Sequence, residues 1–338
     1  MTRVGVVIPH FQREPGLLAR AVTSVLAQRG KVALTIVVVD DASPLSATID
    51  LATVNVLAPH ELVLIRQDNG GPGVARNAGL DRLAEEAVEF VAFLDSDDWW
   101  TDDHLTEGLK TLGNGADLFF ADHDREQYAG EASYFTAHGR LDRWIASGTA
   151  QPCANKRFSV TDGAALRFFL EDYPAQTSTV LFRRTAATTP LRFDPQFRSL
   201  GEDLLFFLDV GREARQVVFS TRMGAHCGAG VSIYHSALSW DHPEAPMRFA
   251  YSLLLWSTVA ERFDLTAGES ALVKARIAGF QRGFTYIWMR HALRQKQLHR
   301  ASSQMLRERL GWRWWRMLPA ALGLANRRLR GQPMFPEH

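Results

Sequence analysis

Cysteine is scarce in this chain of 338 residues, which holds only Cys153 and Cys227. Two thiols 74 positions apart, in no pair motif, exclude a disulfide framework and a cysteine-built zinc site, and they fit a reducing cytoplasm. Long hydrophobic runs are also missing. The longest nearly apolar stretch, 249–260, falls well short of the roughly 20 residues that cross a bilayer, so no segment is expected to span a membrane. Near the start, Pro9, His10 and Arg13 interrupt the apolar run Val4 to Ile8 before it reaches the length of a secretory core. The expected location is therefore the cytoplasm. Neither sign of charge dominates, since 38 Lys+Arg oppose 37 Asp+Glu. Gly (25) and Pro (14) stay near average usage, which with 46% apolar residues excludes fibrous, low-complexity and disordered classes.

The even balance hides an uneven distribution. Residues 271–338 carry 14 Lys+Arg and 2 Asp+Glu, whereas residues 1–270 carry 24 and 35. An acidic body with a basic tail points to an anionic surface near the tail, such as phospholipid or nucleic acid, or more plainly to a solvated helical face. Within the tail, Trp312-Arg313-Trp314-Trp315-Arg316 alternates aromatic and cationic side chains. Two readings are open: an amphipathic segment lying in the headgroup zone, or a C-terminal helix whose Trp rings are core.

Along the first half, short apolar strands alternate with helical patterns. Val4 to Ile8, Leu34 to Val39, Leu62 to Ile65 and Phe90 to Leu94 read as buried strands; helices are expected over Leu17 to Gln28, Val74 to Ala87 and from Asp102 onward. Continuous apolar strands in βα alternation predict a mostly parallel sheet covered on both faces, with ligands at the carboxyl ends of its strands. Further on, a strand is expected at Leu118 to Ala121, irregular chain over 124–160, a helix near 162–171, a strand at Thr179 to Phe182, a helix from Glu202 through Val210 and a flexible loop around 223–230. After 245 the pattern is helical to the end. We therefore expect a catalytic region over 1–240, divided near 115, followed by a basic helical region over 241–338.

Four strand ends bring polar groups to one edge of the sheet: Pro9-His10-Phe11, Asp40-Asp41-Ala42-Ser43, Gln67-Asp68-Asn69-Gly70-Gly71 and Asp95-Ser96-Asp97-Asp98. Carboxylates at the end of an apolar strand are costly unless something positive compensates them. Asp-x-Asp suits an oxygen-liganded Mg²⁺ or Mn²⁺ that also holds a diphosphate; the alternative is that Asp97 or Asp98 caps the next helix. Asn69 to Asn77 is a Gly-rich loop entering a helix, where Arg76 offers a charged fork to a nucleotide.

Taken in order, Val-Val-Ile-Pro-His-Phe-Gln-Arg-Glu (6–14), Val-Val-Val-Asp-Asp-Ala-Ser (37–43), Asn-Gly-Gly-Pro-Gly-Val-Ala-Arg-Asn-Ala-Gly (69–79) and Phe-Leu-Asp-Ser-Asp-Asp-Trp-Trp (93–100) resemble the N-terminal motifs of glycosyltransferase family 2. These are inverting enzymes with the nucleotide-sugar-binding GT-A fold, and the resemblance is nearest to bacterial exopolysaccharide glucosyltransferases of the succinoglycan type. It implies that Pro9, Phe11, Glu14, Asp41, Asn69, Arg76, Asp95 and Ser96 contact the UDP-sugar. Pro9 and Phe11 would line the base pocket, and Asp41 would accept from the uracil N–H. It also makes Asp97 the metal ligand, Asp98 a helper and His226 a further ligand, although a lone histidine is more often structural.

Glu202-Asp203 is the one segment matching the family's acid pair at a helix start, so the resemblance makes Asp203 the general base; ordinary first-turn acids favoured by the helix dipole are the alternative. The expected function is transfer of a hexose, glucose by this likeness, from UDP to a lipid-linked oligosaccharide. An anionic membrane would be a peripheral partner, and no nucleic acid is expected beyond the donor's own nucleotide. A nucleotidyltransferase, an NAD(P) oxidoreductase and a non-catalytic nucleotide-sugar binder are the rivals. The first two should carry a Gly-rich loop straight after the first strand, where this chain has Pro9-His10-Phe11-Gln12.

Overall fold

The computed structural model describes residues 1–125, 134–135, 139–198, 200–228, 242–292 and 299–330. It divides into two compact units, Met1–Arg198 with Glu202–Val231, and Ser199–Gly201 with Ser232–His338.

The first unit opens with strands and helices in alternation: β1 (Thr2–His10), α1 (Leu17–Leu26), β2 (Val32–Asp41), α2 (Ala47–Leu51), β3 (Glu61–Gln67), α3 (Pro72–Ala84), β4 (Phe90–Phe93). After β5 (Trp99–Trp100) come α4 (His104–Gly113), β6 (Leu118–Arg125), α5 (Arg140–Ala146), β7 (Ala150–Pro152), β8 (Arg157–Val160) and α6 (Ala165–Glu171). The unit closes with β9 (Val180–Arg183), α7 (Glu202–Glu213) and β10 (Val217–Cys227).

These strands form one sheet in the order β3-β2-β1-β4-β9-β6-β10-β8-β7, with β5 on β10. The parallel half predicted from apolar runs is present: β1 pairs in parallel with β2 and β4, and β2 with β3. Every residue of β2 is buried, as a strand covered on both faces requires. Beyond β4 the sheet is mixed, because β9 enters antiparallel to both β4 and β6, while β6 and β10 run parallel.

Two expectations need correction. The stretch 124–160 is not irregular throughout: α5 and the β7–β8 hairpin occupy its second part, while 126–133 and 136–138 lie outside the described residues. Asn155 and Lys156 both take positive φ (62° and 60°), the twist that joins tightly paired strands, and strands of three and four residues are too short to show periodicity. The expected loop around 223–230 is strand as far as Cys227, since β10 is held there by β6 on one side and β5 on the other; Ala229 and Gly230 lie outside the described residues.

Helix packing follows from small residues. A Cβ on Gly79 would stand 2.3 Å from Val7 Cγ1, so glycine lets α3 approach β1 closely. A core of Val4, Val6, Ile8, Leu18, Val22, Val25, Ile36 and Val38 fills the space between α1 and the sheet.

The second unit is helical, as expected after 245: α8 (Ala245–Arg262), α9 (Ala267–Arg290), α10 (Arg300–Leu310) and α11 (Leu318–Leu329). Thr266 and Glu269 form a reciprocal capping box at the start of α9. The rings of the Trp-rich run divide between core and surface. Trp312 is core, packed edge-on against Phe284 at 5.3 Å with Leu253, Leu306 and Met317 around it, whereas Trp315 is 46% exposed.

Candidate active site

The carboxyl end of β4 meets the start of α7 around one buried cation. Arg76, on α3, is 3% exposed; its Nη2 donates to Asp95 Oδ1 at 2.5 Å and its Nη1 to Glu202 Oε1 at 3.4 Å. Burial alone would favour a neutral guanidine, but Asp95, Glu202 and Asp203 together outweigh it and hold Arg76 firmly charged. A sequence separation of 126 residues hid the pairing of Arg76 with Glu202.

Arg76, even with Arg20 nearby, does not neutralise this many acids. Burial, and then the charge of Asp95, push the Asp97 carboxyl up to about 6. Burial followed by the charges of Asp97 and Asp95 raises Asp98 well above the carboxylate range, even though Asp98 accepts from Ser178 Oγ (2.5 Å) and from the Gly228 N–H (2.9 Å). Glu202 rises to about 8, because burial and the neighbouring Asp203 exceed the relief from Arg76. Asp203 itself is half-buried in the first turn of α7, where Oδ1 accepts from the Leu204 N–H at 2.8 Å. The Tyr173 hydroxyl, within electrostatic reach of Asp203, is pushed well up by burial and that charge.

The turn after β4 is clamped from several sides. Arg20 Nη2 donates to the Asp97 carbonyl (2.9 Å) and stacks over Trp99 at 3.7 Å. Gln12 Nε2 donates to Ser96 Oγ (3.0 Å), and the Asp95 N–H to Ser178 Oγ (3.0 Å). Gly228 lies so close that a Cβ there would stand 2.2 Å from the Asp97 carbonyl oxygen. His226 stacks on Trp99 (5.2 Å between ring centres), and its Nδ1 hydrogen-bonds both oxygens of Asp124, at 2.8 and 3.0 Å.

Other predicted residues are tied into the surrounding loops. Both Asp41 oxygens accept backbone N–H bonds, from Gly70 and Gly71 at 2.8 Å each, and Oδ1 also accepts from Gln67 Nε2. Asn69 donates to the Asp41 carbonyl and accepts from Arg198. Pro9 is buried at the end of β1 beside half-buried Phe11. Glu14 is exposed and makes no hydrogen bond or ion pair among the described residues, so it is not drawn into the acidic cluster. Sequence reasoning missed Gln12 and Ser178, which anchor the Asp95–Asp98 turn; the polar Thr177-Ser178-Thr179 ahead of an apolar strand was the available signal.

Buried acids thus gather at the end of β4 and the start of α7 around Arg76. Residues 5–172 match the model of "Glycosyl transferase family 2". The chain is 33% identical over 245 residues to the succinoglycan biosynthesis protein ExoW of Rhizobium meliloti, covering 72% of this chain and 74% of ExoW. The chain belongs to glycosyltransferase family 2. Solved structures agree on the fold of this family 2 glycosyltransferase. TarS 1–349 of S. aureus in complex with UDP superposes with a TM-score of 0.52 at 17% identity, over 86% of this chain and 72% of that one. The mannosyltransferase PcManGT of Pyrobaculum calidifontis, in complex with GDP-Man and Mn²⁺, gives 0.52 at 16%, over 97% and 80%. The sheet and its helical flanks are accordingly of GT-A type.

Proposed function

We propose that this glycosyltransferase moves a hexose, glucose, from a UDP-sugar to a growing, lipid-linked exopolysaccharide oligosaccharide, with inversion and with Mg²⁺ or Mn²⁺ as cofactor. The observation that carries the reading is the surplus of acid at the end of β4. Arg76 pairs with Asp95 and Glu202, while the Asp97 carboxyl makes no ion pair among the described residues and stays raised despite the charges of Arg20 and Arg76. Its donors are hard oxygens, which suit a divalent metal that keeps few protein ligands and takes the rest from diphosphate and water.

Asp97 would hold the metal, with Asp98 in support. His226 would offer Nε2, its Nδ1 being engaged by Asp124 as ligating imidazoles usually are. When bound, the metal would neutralise charge developing on the departing diphosphate. Asp203, on the first turn of α7, would take the proton from the acceptor hydroxyl as that oxygen attacks the anomeric carbon from the side opposite the diphosphate. Pro9, Phe11, Asp41, Asn69, Arg76, Asp95 and Ser96 would hold the nucleotide and sugar, with Glu14 reaching them only from its exposed loop. Support for the donor and polymer comes from a UDP-bound relative in fold and from ExoW's place in succinoglycan biosynthesis. Among the described residues no helix is long and apolar enough to cross a membrane. Contact with a lipid-linked acceptor would instead be peripheral, at the inner membrane face.

The test is a panel of nucleotide sugars with Mn²⁺ present, read as slow hydrolysis and as thermal protection. Preference for UDP-glucose is expected; preference for a GDP-sugar, or for none of them, would overturn the donor.

A further inference from the structure

A cleft of about 790 Å³ opens in the helical unit, and Arg300, Arg307 and Arg313 share its lining with Trp288, Trp312 and Trp315. One wall is α10. Arg300, Ser303, Gln304 and Arg307 recur at helical spacing and turn one polar face to the cleft, while Ser302 and Leu306 on the other face are fully buried. The second wall follows Gly311, whose left-handed backbone (φ 56°) ends α10 and turns the chain back. Trp312 then inserts beside Phe284, and Arg313 stacks over Trp315 at 5.0 Å. Trp288 Nε1 donates to Ser303 Oγ at 2.9 Å, which ties α9 to the rim.

Three exposed arginines thus line one concavity, and none has a carboxylate partner among the described residues. Like charges around a cavity repel unless an anion joins them, and the guanidinium fork matches phosphate oxygens in pairs. The half-buried Trp288 indole supplies a flat apolar face of the kind that covers the C–H side of a sugar ring. Beyond the cleft runs an apolar edge: Trp315, Leu318 and Leu322 are 46%, 50% and 71% exposed, the last two one turn apart on α11. Phosphate site, sugar platform and lipid-facing edge therefore lie in sequence around one short stretch of chain.

We infer that this cleft grips the phosphate and first sugar of a membrane-anchored glycan, while Trp315, Leu318 and Leu322 rest in the headgroup zone. The inference rests on the lipid-linked acceptor proposed above and assigns that acceptor a holding site on the helical unit. A free sugar phosphate offers the same polar chemistry but leaves the apolar edge unused, so the occupant is the lipid-linked form.

The experiment titrates the full chain, with UDP and Mn²⁺ present to fill the donor site, with glucosyl farnesyl diphosphate. Octyl glucoside lacks the phosphate and glucose 1-phosphate lacks the lipid. The complete probe should bind on the order of tenfold or more tighter than either. R307Q/R313Q should erase most of that advantage over octyl glucoside, and W315A should weaken the complete probe, with UDP affinity and helical content retained in both. Equal binding of octyl glucoside, equal binding of glucose 1-phosphate, or an unchanged affinity in folded R307Q/R313Q would each overturn the inference. So would full competition by phosphatidylglycerol vesicles that carry no sugar, which would make the cleft a plain membrane contact. Failure of UDP itself to bind the wild-type chain would overturn the donor reading instead, and the probe titration would still report on the cleft.

Discussion

Asp97 and Asp203 carry the sharpest consequences of any single side chains. If Asp97 holds the cation that bridges the diphosphate, Asp97→Ala should abolish Mn²⁺-dependent UDP binding and leave the fold intact, because the change removes a carboxylate whose burial is costly. Calorimetry decides this, and an unchanged Mn²⁺-dependent affinity in a folded variant would sink the assignment. If Asp203 is the general base, Asp203→Asn, which keeps the shape but cannot accept a proton, should cut turnover on the order of a hundredfold with UDP affinity little altered. Near-normal turnover would move the base elsewhere, to Glu202 first. Glu202 also gives a pH signature. Burial and the charge of Asp203 push its carboxyl from the ordinary 4.5 up to about 8 in the folded chain. The folded state therefore binds more protons than the unfolded one between those values, and stability must fall as pH rises through that window. Glu202→Gln should flatten this decline, as read by chemical denaturation at pH 5 and pH 8; an equal slope in the variant would show that another group is responsible.

At the scale of elements, the approach of β10 to the turn after β4 fixes where the carboxylates of that turn stand. That approach depends on Gly228, because a methyl group there would meet the Asp97 carbonyl at 2.2 Å, a backbone atom that has no rotamer to escape into. Gly228→Ala should displace the turn and weaken Mn²⁺-dependent UDP binding on the order of tenfold or more, since small displacements of positioned groups are costly. Gly113→Ala in α4 is the control, its added Cβ meeting nothing within 4 Å. If the two variants bind UDP equally well, the contact of β10 with the turn does not set the site.

At the scale of the whole molecule, the basic excess beyond residue 270 and the exposed edge Trp315, Leu318 and Leu322 predict salt-sensitive attachment to anionic vesicles. Each basic residue near such a surface contributes about 1 kcal/mol, and the apolar edge adds a component that salt does not screen. Sedimentation with phosphatidylglycerol vesicles but not with phosphatidylcholine is expected, and W315S/L318S/L322S should remove the part that survives high salt. Indifference of the wild-type chain to anionic vesicles at low salt would end the membrane reading. Truncation at residue 311 is the wrong test, because Trp312 and Met317 belong to the core of the helical unit.

The parallel half of the sheet was legible in the sequence because strands buried on both faces, such as Val4 to Ile8 and Leu34 to Val39, must be apolar without interruption. The acids at their ends stood out for the same reason, as charge that such strands do not tolerate unaided. Periodicity carries no record of pairing at a distance, so the antiparallel entry of β9, the two-residue β5 and the hairpin of β7 and β8 came only from the tertiary structure. The same limit applied within the site. Asp40 and Asp41 are adjacent and chemically alike, yet Asp40 orders the loop at Ser43 and Ala47 while Asp41 accepts from the Gly70-Gly71 turn. Which role each takes depends on the alternation of side chains across β2 and on what the neighbouring loops present. Composition determined that this chain would gather acid at one edge of a sheet and base in its tail. Packing alone decided that Arg76 is held between Asp95 and Glu202, because the chain had to fold before groups 126 residues apart could meet.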